Sequence, residues 1–426
     1  MNLRDFRRAG HWPTLLSAFL YFDVSFMVWL LPGALASSIV LDLGLSDAQK
    51  GLMVAVPLLG GALLRLALGL MADRIGARRA GLLGMGLTTA PLLLGWLWAD
   101  SFEQLLLVGL LLGVSGASFA AALPLASHWY PPQYQGLAMG IAGAGNSGTA
   151  LATFFAPRLA AVWGWHAVFG LALIPLLATF VFFFLFARES PHRPAPRPLH
   201  AYADVLCLPD TWWFCLLYAI TFGGFVGMSS FLGVFFQSQY GLSRVEAGNL
   251  STLCVIAGSA LRPLGGHLAD RFGGVRLLMA LYLFAGAAML GLSTLPPLSI
   301  GTVVLFAGMA ALGMGNGAVF QLVPLRFPRE IGVTTGIIGA AGGLGGFVLP
   351  TALGLLKQTT GSFGSGFLLF SLVAGVGGAL ALSYASRGWS DLSFGLEPEG
   401  QVSSSITNPE GALDAPTKLA DSAGMI

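Results

Sequence analysis

The chain has 426 residues, of which 55% are hydrophobic and only 9% charged, and its mean hydropathy is +0.78. A soluble domain cannot hide that much apolar surface, so the composition excludes a soluble globular protein and points to an integral membrane protein. The net charge of +2 selects no charged partner, and nothing in the chain points to nucleic acid.

Roughly 20 apolar residues are needed to cross a hydrocarbon core of about 30 Å. Twelve such stretches are predicted, at 12–37, 48–71, 80–98, 103–127, 134–157, 165–187, 211–237, 245–268, 275–294, 299–323, 331–355 and 362–386. The first follows a basic N-terminus but is too long for a signal-peptide core, so it is read as a retained span. After span six the run Arg188-Glu189-Ser190-Pro191-His192-Arg193-Pro194-Ala195-Pro196-Arg197-Pro198 is polar and proline-rich, which no membrane helix could carry. It divides the chain into an N-terminal six-helix half (1–187), a cytoplasmic linker (188–210), a C-terminal six-helix half (211–390) and a disordered cytoplasmic tail (391–426).

Lys and Arg collect in cytoplasmic loops. With the N-terminus inside, fifteen of the 21 basic residues fall on the inner side, four on the outer side and two within spans, which places both termini in the cytosol. Cys207, Cys215 and Cys254 have no metal or redox spacing and read as packing residues. No metal or cofactor is implied.

The two intramembrane cations are Arg65 and Arg262. The first lies in Gly61-x-x-x-Arg65-x-x-x-Gly69 followed by Asp73-Arg74-x-Gly76, and the pattern returns 197 positions later as Gly258-x-x-x-Arg262-x-x-x-Gly266 and Asp270-Arg271-x-Gly273. A guanidinium does not lose its proton and is costly in hydrocarbon, so two at equivalent places imply one shared job. Eight residues at about 1.5 Å each raise both arginines roughly 12 Å above the boundary aspartates, close to the midplane. Each could be held by a buried carboxylate or by backbone carbonyls. Of the 19 acids, however, only Asp23 lies well inside a span, and one carboxylate cannot neutralise two cations. A bound anion is the economical partner.

Asp23 itself could bind a transported proton, or could be structural, ion-paired to an arginine or hydrogen-bonded to a neighbouring helix. The loop residues Asp73, Arg74, Asp270 and Arg271 look like the signature loop of the major facilitator superfamily, a resemblance that implies gating elements holding helix ends together in one state; simple topology-setting charge is the alternative. Two glycine clusters, Gly136 to Gly148 in span five and Gly336 to Gly346 in span eleven, also obey the 197-residue offset: Gly145 and Gly148 match Gly342 and Gly345. Small residues let helix backbones approach, so these two spans are expected between the halves.

Gly61-Ala62-Leu63-Leu64-Arg65, Ala142-Gly143-Ala144-Gly145-Asn146-Ser147-Gly148 and Gly339-Ala340-Ala341-Gly342-Gly343-Leu344-Gly345-Gly346 resemble the nitrate/nitrite porter family of the major facilitator superfamily. The glycine runs look like its paired nitrate signatures, with Gly143, Gly145, Gly148, Gly339, Gly342, Gly343 and Gly346 as the signature glycines. The resemblance implies an all-α major facilitator fold of twelve transmembrane helices. It further implies that Arg65 and Arg262 clamp the substrate from opposite halves, that Asn146 adds a polar contact, and that Tyr218, Phe222, Phe119 (after Gly116) and Phe26 supply aromatic walls. Planar guanidinium forks and ring faces suit a flat oxyanion.

The expected function is secondary active transport of nitrate, with nitrite as a second substrate, by alternating access in a bacterial inner membrane, as a monomer. Members with an intact Asp-Arg-x-Gly loop and a short linker are associated with proton-coupled uptake. Nitrate/nitrite exchange is the alternative. A receptor that senses nitrate without moving it, and a carrier of another small anion such as formate or oxalate, are further alternatives. An enzyme is not expected, because the chain has no metal cluster, nucleophile elbow or cofactor-binding glycine loop after a strand.

Overall fold

In a computed structural model, which describes residues 3–191, 196, 200–327, 331–387 and 389, each of the twelve expected spans is helical. Span two is Asp47–Ile75 and span eight is Arg244–Phe272, so the 197-residue offset holds for both ends of both helices. The local causes repeat as well. Ser46 and Gln49 form a reciprocal cap at one N-terminus, and Ser243 and Glu246 form it at the other, which satisfies amide donors that a helix start leaves open. Gly76 and Gly273 end the two helices at φ 100° and 87°, a backbone region that a side chain would strain.

Other spans are broken where the sequence alone predicts continuity. Span one consists of Trp12–Trp29, Leu31–Ala34 and Ala36–Leu43, with Pro32 at the start of the middle piece. Span four divides into Phe102–Gly116 and Phe119–Ser127. Span five begins as Pro132–Gly143, tightens to a 3-10 turn at Ala144–Ser147, and continues into Gly148–Phe186, which turns at Gly164 (φ 79°) to become span six. The remaining spans are Ala77–Leu97 (three), Pro209–Tyr240 (seven), Gly274–Ser293 (nine), Leu298–Arg326 (ten) and Ile331–Thr360 (eleven). Span twelve is Gly364–Ser371 and Gly378–Ser386, joined by a π-helical segment at Leu372–Gly377.

Nine helices among the described residues are long and apolar enough to cross a membrane, one of them the double-length Leu137–Phe186. Spans one and eight fall outside that count: the first is cut by its breaks, the second diluted by polar residues from Arg244 to Asp270. Large apolar side chains such as Val162, Ile174, Val303 and Leu380 are more than half exposed, as a lipid-facing surface requires.

Span two packs on span eleven, span five on span eight, and span one on span seven. The glycine-rich spans five and eleven therefore do pack across the two sets of six, each against a different partner. At the end remote from the termini these contacts are tight: Ser37 Oγ donates to Gly233 O (3.3 Å), Thr153 and Thr252 hydroxyls meet at 2.8 Å, and Gly51 backs onto Gly354. Toward the other end Gly140, Gly143 and Gly336 face open space. The bundle is closed at one end and open at the end that carries the Asp-Arg-x-Gly loops.

The segment after span six is tied to the bundle at its start and carries a short helix. Glu189 accepts from the Ala77 and Arg78 amides at the start of span three, Arg78 Nε donates to Ala187 O (2.7 Å), and a short helix runs over His200–Cys207. Residues 192–195 and 197–199 and the tail from 390 lie outside the described residues.

Candidate functional site

Arg65 is 1% exposed near the middle of span two, and its two terminal nitrogens go to two different helices. Nη2 donates to Gly116 O in span four at 2.8 Å, and Nη1 donates to Gly339 O in span eleven. Carbonyls are thus the partners, one of the possibilities open from sequence. They satisfy hydrogen bonds but carry no net charge, so the cation remains unneutralised. Among the described residues no carboxylate lies within 4.0 Å of either Arg65 or Arg262. Arg65 Nε and Arg262 Nη1 are buried without a hydrogen-bond partner.

The two guanidinium groups share one ring. Arg65 lies 5.5 Å and Arg262 6.0 Å from the centroid of Phe119, in the cation–π range. Arg65 also meets Phe222 at 5.6 Å, and Arg262 meets Phe320 at 5.8 Å. The Tyr218 hydroxyl lies near both cations.

Six aromatic rings close into a cycle around these groups. Phe26 packs on Phe22 (4.4 Å), Phe22 on Phe119 (5.6 Å), Phe119 on Phe320 (5.9 Å), and Phe320 on Tyr218 (4.8 Å). Tyr218 then stacks on Phe222 (5.0 Å, 8° between planes), and Phe222 returns to Phe26 (6.5 Å). Spans one, four, seven and ten each contribute rings, and spans two and eight each contribute a cation. Phe26, Phe119, Tyr218 and Phe222 were anticipated from sequence. Phe22 and Phe320 were not, because an isolated phenylalanine in an apolar span carries no signal that separates it from a lipid-facing one.

The signature glycines do different jobs. A Cβ on Gly342 would lie 2.6 Å from the Tyr218 ring and 2.9 Å from Phe222, one on Gly339 would meet Arg65 at 3.2 Å, and one on Gly343 would meet Ala62 at 2.9 Å. Gly346 sits against Val226. These four let span eleven lie flush against spans two and seven. Gly116 makes room for Trp29, whose indole Nε1 donates to Pro57 O at 2.6 Å, while its own carbonyl holds Arg65. In span five, Gly145 lies against the Asp23 amide and the Phe22 side chain and Gly148 against the Asp23 carbonyl, whereas a Cβ on Gly143 would meet nothing within 4 Å.

Asp23, 7% exposed, accepts from Ser147 Oγ at 2.6 Å, and no Lys, Arg or His among the described residues pairs with it within 4.0 Å. Of the structural roles weighed from sequence, the hydrogen bond to a neighbouring helix is the one present. Asn146, beside Ser147, is 1% exposed with its Oδ1 unpartnered. Arg74, Asp270 and Arg271 are exposed at the open end and form no ion pair there among the described residues, and Asp73 is half-buried. These four lie outside the aromatic cycle.

Residues 17–350 match the model of the Major Facilitator Superfamily. The chain is 36% identical over 353 residues to the nitrite extrusion protein of Bacillus subtilis, covering 82% of this chain and 88% of that one. It is 38% identical over 340 residues to the probable nitrate/nitrite transporter NarK2 of Mycobacterium tuberculosis (78% and 85% covered). With the probable nitrate/nitrite antiporter NarK1 of Thermus thermophilus it shares 32% over 389 residues (84% and 88%). In fold it is similar to an inward-facing, unoccupied bacterial homolog of the human lysosomal transporter Spinster, with TM-score 0.67 and 20% identity over 89% of this chain and 98% of that one. The chain belongs to the nitrate/nitrite porter family of the major facilitator superfamily.

Proposed function

We propose that the protein carries nitrate, and nitrite as a second substrate, across the membrane by alternating access, with the aromatic cycle as the substrate site and both termini in the cytosol. The observation that carries this reading is the pair of guanidinium groups that share the Phe119 ring, with buried unpartnered donors and, among the described residues, no carboxylate within 4.0 Å. Two fixed cations in a ring-walled space attract a small monoanion, and planar forks meet its oxygens in their own plane. The names of the relatives supply the same substrates.

The same charges account for gating. Without an anion, two like charges repel and resist approach of the helices that carry them. An anion between them removes that repulsion, so the six-helix halves, 1–187 and 211–390, rock when loaded. The Asp-Arg-x-Gly loops lie at the open end, and their role is to latch that end when it closes.

Coupling follows from charge. Uptake of a monoanion against an inside-negative potential is driven by voltage only if more than one positive charge enters with it. Asp23, which accepts from Ser147 Oγ and pairs with no cation within 4.0 Å among the described residues, is the group proposed to bind a proton. A second reading is nitrate/nitrite exchange, favoured by the antiporter name of one relative. Proteoliposomes separate the two. A pH gradient should drive nitrate accumulation by the wild type and fail to do so for Asp23→Asn, with exchange retained. Failure of the gradient to drive the wild type without internal nitrite refutes the proton-coupled reading, and absence of any nitrate flux refutes the substrate.

A further inference from the structure

Asn316 in span ten is fully buried, and neither its Nδ2 nor its Oδ1 has a hydrogen-bond partner. Buried amides nearly always find partners, since stripping one of water with nothing in return costs free energy. An Asn kept in such a place by a transporter therefore calls for a use.

Its position gives one. Asn316 and Phe320 stand at i and i+4 and so share a helix face, and Phe320 closes the aromatic cycle and lies under Arg262. The flanking glycines fix the direction. A Cβ on Gly315 would fall 2.7 Å from Thr221, next to Phe222 in span seven, and one on Gly317 would fall 2.1 Å from the carbonyl oxygen of Arg262 in span eight. Asn316 thus points into the wedge between spans seven and eight, the helices that carry Tyr218, Phe222 and Arg262.

The internal repeat gives the same placement independently. Gly69 lies against Ala120 (3.6 Å), and 197 residues later Gly266 lies against Gly317 (3.8 Å). Asn316 accordingly takes the place in span ten that Phe119, the ring beneath both cations, takes in span four. Where one half supplies an aromatic face, the other supplies an amide.

We propose that Asn316 contacts the substrate: its Nδ2 donates to an oxygen of the bound oxyanion beside the unpartnered Nη1 of Arg262. This rests on the aromatic cycle being the oxyanion site. A neutral donor adds a hydrogen bond without a third charge, so the anion is gripped in orientation while the charge balance of the site is unchanged.

The test is calorimetric titration of the detergent-solubilised full chain with sodium nitrate. Asn316→Leu replaces the amide with an apolar group of similar volume, which for a purely structural orphan preserves or raises thermal stability and leaves affinity alone. We expect thermal stability preserved or raised but nitrate Kd weakened about tenfold, as the loss of one hydrogen bond of about 1.4 kcal/mol implies. Asn316→Asp, which places a carboxylate against the anion, should abolish binding. A folded Leu variant with wild-type Kd overturns the assignment. If the Leu variant fails to accumulate, Asn316→Ala is read by the same criterion. A wild type that binds no nitrate overturns the central site itself, an outcome distinct from failure of the Asn316 assignment alone.

Discussion

Arg65→Lys tests the site most directly, because it keeps the charge and removes the fork. In the native protein Nη1 and Nη2 reach carbonyls on two helices, Gly339 in span eleven and Gly116 in span four, while the guanidinium carbon lies 5.5 Å from the centroid of Phe119 and 5.6 Å from that of Phe222. An ammonium is a single point and reaches one of these carbonyls at best. At least one charge-assisted bond is lost in a position that is 1% exposed, where such bonds contribute about 1.5–3 kcal/mol. At 1.4 kcal/mol per factor of ten, transport kcat/KM should fall roughly ten- to a hundredfold. The assay is counterflow of labelled nitrate in proteoliposomes, with size-exclusion profile and thermal melt as folding controls. A folded lysine variant that transports at the wild-type rate would show that charge alone suffices and that the fork is not needed.

Three further outcomes follow from particular contacts. Gly148→Ala would put a Cβ 1.8 Å from the carbonyl oxygen of Asp23, a backbone atom that cannot step aside, so spans one and five must part and stability should drop by about 1–3 kcal/mol in a thermal melt; Gly143→Ala, with nothing within 4 Å, should melt no lower than wild type. Equal melting of the two variants would contradict the packing described. Phe320→Ala opens the aromatic cycle and removes the ring 5.8 Å from Arg262, and nitrate affinity should fall about fivefold for a cation–π contribution near 1 kcal/mol, whereas Phe186→Ala on the lipid-facing surface should leave affinity unchanged. Burial, and secondarily the charge of Arg188, hold the imidazole of His11 below its usual value of 6.5. The unfolded chain therefore takes up this proton first, and the stabilisation, present above pH 6.5, is lost as pH falls below it. His11→Asn retains an acceptor for the Thr14 amide and should flatten the melting temperature between pH 6.5 and 5; a slope identical to wild type would rule the group out.

The membrane class, the twelve spans, the internal repeat and the pair of intramembrane cations are legible in the order of the amino acids alone. These are properties of composition and spacing: hydrocarbon demands long apolar stretches, and an arginine among them stands out against that background. The repeat even carried the helix ends, because caps and terminal glycines are local chemistry. The features that needed the folded chain lie between helices. That Arg65 is held by the carbonyls of Gly116 and Gly339 depends on main-chain atoms 51 and 274 residues away, which no side-chain pattern encodes. Phe22, Phe320 and Asn316 gained meaning only once spans one, four, seven and ten converged, since each alone looks like any residue of an apolar helix. Gly143 and Gly148 belong to the same motif, yet one faces open space and the other the backbone of span one; the difference is a matter of which side of a helix meets a neighbour, and that is set by packing.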